Sequence, residues 1–221
     1  ISVVENSASA DNSLYLFATI VVFAAILLVI LKLYKGKLLF LLLELAMEFT
    51  AFQIFTSLFA GGITPALVAS AAVIIRLAAP QVRQVVLLAT IAIVGGLLGS
   101  SLDILPAALL AILLAGYDVV AVFYTKHMVT LAKDLAQRQA AFSIKVAHEK
   151  DKLELGTGDI VIPAMLIVAA NRIGSNAITT TLGEISWPAL VGLVGAIVGI
   201  AALLFYLEKR KGYWPALPPI T

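Results

Sequence analysis

The chain has no cysteine, which rules out disulfides and thiolate metal sites. It is also short of charge: Asp, Glu, Lys and Arg make up 13% of its 221 residues, about half the share usual in a soluble domain. Neither sign dominates. A formal net charge of +2 gives no electrostatic footprint for nucleic acid, so no nucleic-acid partner is expected. The two histidines, His127 and His148, lie outside the apolar runs, and no His-Glu-x-x-His occurs. That removes the pattern of a membrane zinc protease and the intramembrane base of a rhomboid-like serine site. Residues 1–13 lack a basic start before an apolar run, so no signal peptide is expected.

What the chain does have is apolar sequence. It is 62% hydrophobic with a mean hydropathy of +1.06, more apolar surface than a water-soluble fold can hide. The expected solvent is the lipid bilayer. A spanning helix needs about 20 mostly apolar residues, and about seven stretches approach that length. They are residues 14–33, 38–59, 64–79, 85–100, 104–124, 156–173 and 187–207. The expected fold class is therefore an all-α membrane protein, a polytopic helical bundle. No internal repeat is evident.

Charge alternates between the connections. Lys32, Lys35 and Lys37 follow the first stretch, Arg76 and Arg83 flank the connection after the third, and Lys209-Arg210-Lys211 close the last. The segment from Lys126 to Lys152 is also rich in Lys and Arg, whereas Glu5, Asp11 and Asp103 mark the opposite side. Basic residues concentrate on the cytoplasmic side of membrane proteins. The first tail is thus expected outside and the loop 126–155 in the cytoplasm. That loop reads as a solvated linker, partly helical near residues 127–140. The chain divides into residues 1–125, the loop 126–155, and residues 156–221.

An ionisable group in the hydrocarbon region is expensive to bury and is a functional candidate by default. The fifth stretch carries Tyr117-Asp118 and the sixth opens Gly156-Thr157-Gly158-Asp159. Asp118 precedes Lys126 by about 12 Å of helical rise, and Asp159 follows Lys152 by about 10 Å. The two helices run in opposite directions, so both carboxyls lie at similar depth near the cytoplasmic face. Two carboxyls in one dry pocket share a proton. The ionised one then takes a proton from water while the protonated one polarises a peptide carbonyl. Gly156 and Gly158 let backbone or substrate approach closely.

These motifs resemble the Tyr-Asp and Gly-x-Gly-Asp motifs of the presenilin and signal peptide peptidase family. Pro215-Ala216-Leu217 resembles the family's third motif, Pro-Ala-Leu, in the same order along the chain. The same tripeptide recurs at Pro65-Ala66-Leu67 and Pro188-Ala189-Leu190, and only position selects the last copy. The resemblance implies an intramembrane aspartic endopeptidase with Asp118 and Asp159 as its catalytic pair. It implies that Tyr117, Gly156, Gly158, Pro215, Ala216 and Leu217 shape the substrate site. It also implies nine helices in the full protein, no cofactor and no metal, and transmembrane protein or peptide substrates. The cytoplasmic loop points to the presenilin-like orientation. Accessory subunits and oligomeric state stay open.

Two other readings stand beside this one. A prepilin-peptidase-type enzyme also uses Gly-x-Gly-Asp, but commonly has Lys two residues after the Asp, where this chain has Val161. An ion or proton pathway would use Asp118, Asp159, Glu44 and Glu48, the last two sharing one helix face. The plainer expectation for Glu44 and Glu48 is that they bond to neighbours inside the bundle. Asn171 and Arg172 are expected near the outer end of the sixth helix, where Arg can snorkel. Pro163 is expected to loosen that helix. Gly99-Ser100-Ser101 reads as a helix end, and Gly195 and Gly199 as a packing face.

Overall fold

In a computed structural model of the protein, residues 8–34, 38–121, 143–146, 153–173, 177–180 and 183–209 are described. The expected helix over 127–140 and the residues Pro215, Ala216 and Leu217 lie outside them. Each apolar stretch forms one helix: α1 Asp11–Leu33, α2 Leu38–Ser57, α3 Thr64–Ala78, α4 Arg83–Ser101, α5 Ile104–Val119, α6 Gly158–Asn171 and α7 Trp187–Lys209. The breaks have local causes. At Gly62 the backbone takes φ +67°, which glycine adopts without a Cβ penalty, and Pro65 sits in the first turn of α3, where a missing N–H is harmless. A 3-10 turn at Pro80–Val82 separates α3 from α4, and Asp103 in extended backbone separates α4 from α5.

α2 and α4 are long and apolar enough to cross a membrane. The 15 residues of α3 rise roughly 22 Å, short of the ~30 Å hydrocarbon core. The outward faces carry large apolar side chains, among them Tyr15, Phe59, Ile112, Val191 and Ile197, each more than half exposed. In water a surface of this kind would drive association, whereas lipid solvates it.

The core is where α5 meets α6. Leu102, Ala107, Leu110, Ala111 and Leu114 pack against Ile162, Met165 and Ala169. α6 is central: it packs against α4, α5 and α7, while α1 lies along α5 and α2 joins α3 to α4. α4 approaches α6 most intimately because Gly95 and Gly99 have no side chains there. A Cβ on Gly95 would stand 2.7 Å from Ala164 Cβ, and one on Gly99 would stand 2.5 Å from the Met165 carbonyl oxygen. The pairing of 95 with 161–164 and of 99 with 165–168 shows that α4 and α6 run parallel. The packing glycines are thus Gly95 and Gly99. The expectation had fallen on Gly195 and Gly199: Gly199 is buried, whereas a Cβ on Gly195 would meet nothing within 4 Å among the described residues.

Polar sequence adds two findings. Arg76 and Arg83 flank the α3–α4 connection as expected, and both are paired. Arg76 is buried and reaches Glu44 at 2.8 Å and Glu48 at 3.1 Å, and Arg83 Nη2 donates to both Glu44 oxygens at 3.1 Å. The loop 126–155 is not all linker. Ser143–Val146 (β1) pairs antiparallel with Leu153–Gly156 (β2), and Ala177–Thr180 (β3) pairs with Gly183–Ser186 (β4) after α6. The bundle is mostly helical, with these two hairpins added.

Candidate active site

Asp118 and Asp159 are carried by the two helices that form the core. Asp118 lies at the end of α5 and is 5% exposed. Just beyond it, at Val120–Ala121, the helix widens into a π turn. Wide turns of this kind recur at functional sites, where they re-aim side chains. Asp159 is the second residue of α6. α5 packs on α6, and the two carboxyls are close enough to interact through their charges. Among the residues expected to form the site, the structure brings this pair together.

The backbone before α6 holds Asp159. The Gly156 N–H donates to Asp159 Oδ2 at 3.2 Å. The expectation that Gly156 opens the helix is corrected: it ends β2, and α6 begins at Gly158. A Cβ on Gly156 would stand 2.9 Å from Asp159 Oδ2, so glycine leaves the space the carboxylate fills. Gly158 is exposed, and a Cβ there would meet nothing within 4 Å. Pro163 lies inside α6 without ending it. Having no N–H, it withdraws the helical donor from the Asp159 carbonyl four residues earlier.

Tyr117 is half-buried and meets Phe17 of α1 edge to face, with ring centroids 6.2 Å apart at 82°. That geometry suits the quadrupoles of two aromatic rings. One hundred residues separate the partners, and no spacing rule connects them. Pro215, Ala216 and Leu217, outside the described residues, are not placed.

The far end of α6 is fastened independently. Arg172 Nη1 donates to the Ser100 and Leu102 carbonyls at 3.0 and 3.4 Å and pairs with Asp103 at 3.3 Å. Asn171 Oδ1 accepts from the Ser186 N–H at 2.7 Å, and Ser186 Oγ donates to the Ala170 carbonyl at 3.2 Å. Arg172 thus binds the α4–α5 connection, where it was expected to snorkel. Glu44 and Glu48 are buried on α2 and pair with arginines of neighbouring elements, Arg76 with both and Arg83 with Glu44, as the plainer expectation had it.

No curated protein sequence matches the chain. Among solved structures, a presenilin family intramembrane aspartate protease is similar at 26% identity with a TM-score of 0.66, over 97% of this chain and 82% of its own. The family model for signal-peptide peptidase and presenilin aspartyl proteases matches residues 1–220. That match spans the helices, both aspartates and the connections between them, and leaves no room for the prepilin-type alternative: the chain belongs to the signal-peptide peptidase and presenilin family of intramembrane aspartyl proteases.

Proposed function

We propose that the protein hydrolyses peptide bonds within the transmembrane helices of substrate proteins, with Asp118 and Asp159 as its catalytic pair. The observation that carries this reading is the convergence of two carboxyls, within reach of each other's charge, at the junction of the two core helices. With one proton between them, the ionised carboxyl takes a proton from water as the oxygen attacks the scissile carbon. The other donates its proton to the carbonyl oxygen, giving a tetrahedral diol. As the diol collapses, the protonated carboxyl gives its proton to the leaving amine while the ionised one takes a proton from a diol hydroxyl, so the pair again holds one proton. These steps call for no metal and no cofactor.

A helical peptide bond is shielded by its own backbone, so the substrate unwinds locally after entering sideways from lipid. The open side of Gly158 supports close approach of the unwound strand. Tyr117, Gly156, Pro215, Ala216 and Leu217 line the substrate site in this reading, by family resemblance. Residues 1–125 and 156–221 form the membrane bundle, with seven spans here and nine in the full protein, and the loop 126–155 faces the cytoplasm.

The test is cleavage of a single-span protein in liposomes, with products read by mass spectrometry. The parent is expected to cut within the span, and Asp118→Asn and Asp159→Asn are each expected to be silent. A variant that still cuts at the parental rate removes that residue from the pair.

A further inference from the structure

β1 and β2 belong to the stretch between the two aspartate helices, and β2 runs directly into the Gly-x-Gly-Asp turn. Their register proceeds from Val146 opposite Leu153 to Ser143 opposite Gly156. Gly156 is therefore both the last paired residue of β2 and the donor whose N–H meets Asp159 Oδ2. A hydrogen bond of this kind orients a carboxyl only if donor and acceptor are held in one frame. α6 holds the acceptor, since Asp159 is its second residue. The donor is held by β2, and β2 is ordered by its pairing, because a lone strand has no partners for its backbone groups. β1 also packs against α4, the helix whose glycines lie against α6. Donor and acceptor thus share α4 as a common support.

We propose that β1, residues Ser143–Val146, is a positioning strand for Asp159: pairing with β2 fixes the Gly156 amide against Oδ2 and so fixes the carboxyl's orientation. The inference rests on the reading of Asp159 as a catalytic carboxyl. Without the amide, the side chain is free to rotate among its staggered and terminal torsions. A misplacement of order 1 Å lowers a rate by up to about 100-fold.

The experiment uses the full-length protein in liposomes with a single-span substrate. Four variants run beside the parent: Ile144→Val, Ile144→Pro, a Gly-Ser-Gly-Ser replacement of residues 143–146, and Asp159→Asn. Proline removes a ladder N–H, whereas valine keeps the strand. The expected result is a fall in kcat of about tenfold or more for both disrupted strands, with KM within about twofold of the parent. Hydrogen–deuterium exchange at the Gly156 amide should quicken in both, and Ile144→Val should match the parent in every readout. A raised KM at parental kcat overturns the proposal, because the strand would then hold substrate and not Asp159. Parental cleavage with a parental Gly156 exchange rate overturns it too, as does loss of folded protein in both disrupted variants. Cleavage by Asp159→Asn defeats the reading of the catalytic pair instead, and the exchange rate still decides what orders Gly156.

Discussion

At the scale of single residues, the two glycines of the Gly-x-Gly-Asp turn separate into different roles. A methyl at Gly156 would stand 2.9 Å from Asp159 Oδ2, whereas one at Gly158 would meet nothing within 4 Å. The crowded atom at 156 is the tip of a side chain, so Gly156→Ala displaces the carboxylate and leaves the helices in place. We expect Gly156→Ala to lower kcat by about 10- to 100-fold with little change in thermal stability. Gly158→Ala should leave stability alone and act through substrate approach, raising KM. Steady-state kinetics and melting in detergent check both. The aspartates themselves were legible in the sequence because an acid inside an apolar run has few bland explanations, and two at matched depth have fewer. The ring of Phe17 against Tyr117 was not legible: its partners are one hundred residues apart, and an aromatic in an apolar helix carries no mark of what it will touch.

At the scale of helices, the sequence located all seven elements to within a few residues, because apolar run length is the signal and the bilayer sets the length. It did not single out the closest contact between them. Gly195 and Gly199 show the small-xxx-small spacing, but so do Gly95 and Gly99, and spacing alone does not say which face turns inward. The close contact belongs to Gly95 and Gly99. Gly99→Ala brings a methyl 2.5 Å from the Met165 carbonyl oxygen, which is backbone and cannot swing aside. It should cost about 1–3 kcal/mol in stability, whereas Gly96→Ala, with open space, should cost little. The basic residues were half legible. Arg76 and Arg83 fit an alternating charge code, and Arg76 is also 4% exposed and pairs with Glu44 and Glu48 across α2 and α3. Nη1 of Arg76 and Glu48 Oε2 are 3.1 Å apart without hydrogen-bond alignment, so that pair holds by charge. Arg76→Met removes the guanidinium that lies within 3.1 Å of both Glu44 and Glu48, leaving two buried carboxylates short of a cation. The expected loss is about 3–5 kcal/mol by thermal or denaturant unfolding. Adding Glu48→Gln to Arg76→Met should recover part of it, because the deserted charge is then gone.

At the scale of the whole molecule, the two ends of the bundle are built differently. One end gathers Asp118, Asp159, the β1–β2 hairpin and the Glu44–Arg76–Arg83 network, since α4 and α6 run parallel and begin there. The other is tied by backbone-directed bonds from Arg172, Asn171 and Ser186, and by Ser13 Oγ donating to the Pro106 carbonyl at 2.8 Å. The hairpins were invisible in the sequence because four-residue strands in a polar loop carry no periodicity long enough to separate them from linker. Which end faces the cytoplasm is a matter of charge. Lys32, Lys35, Lys37 and the Lys- and Arg-rich residues 126–152 connect helix ends on the aspartate side, and Ala60-Gly61-Gly62 connects ends on the other. The positive-inside tendency predicts that the aspartate end faces the cytoplasm. These 221 residues contain no cysteine, so within them a single introduced thiol reports orientation. Gly61 is the position to use outside, because a side chain there meets nothing within 4 Å. In intact cells, Gly61→Cys is expected to react with a membrane-impermeant maleimide, and Lys133→Cys is expected to react only after permeabilisation. The reverse pattern would place the aspartates at the outer face, where substrates present the opposite end of their spans to the catalytic pair.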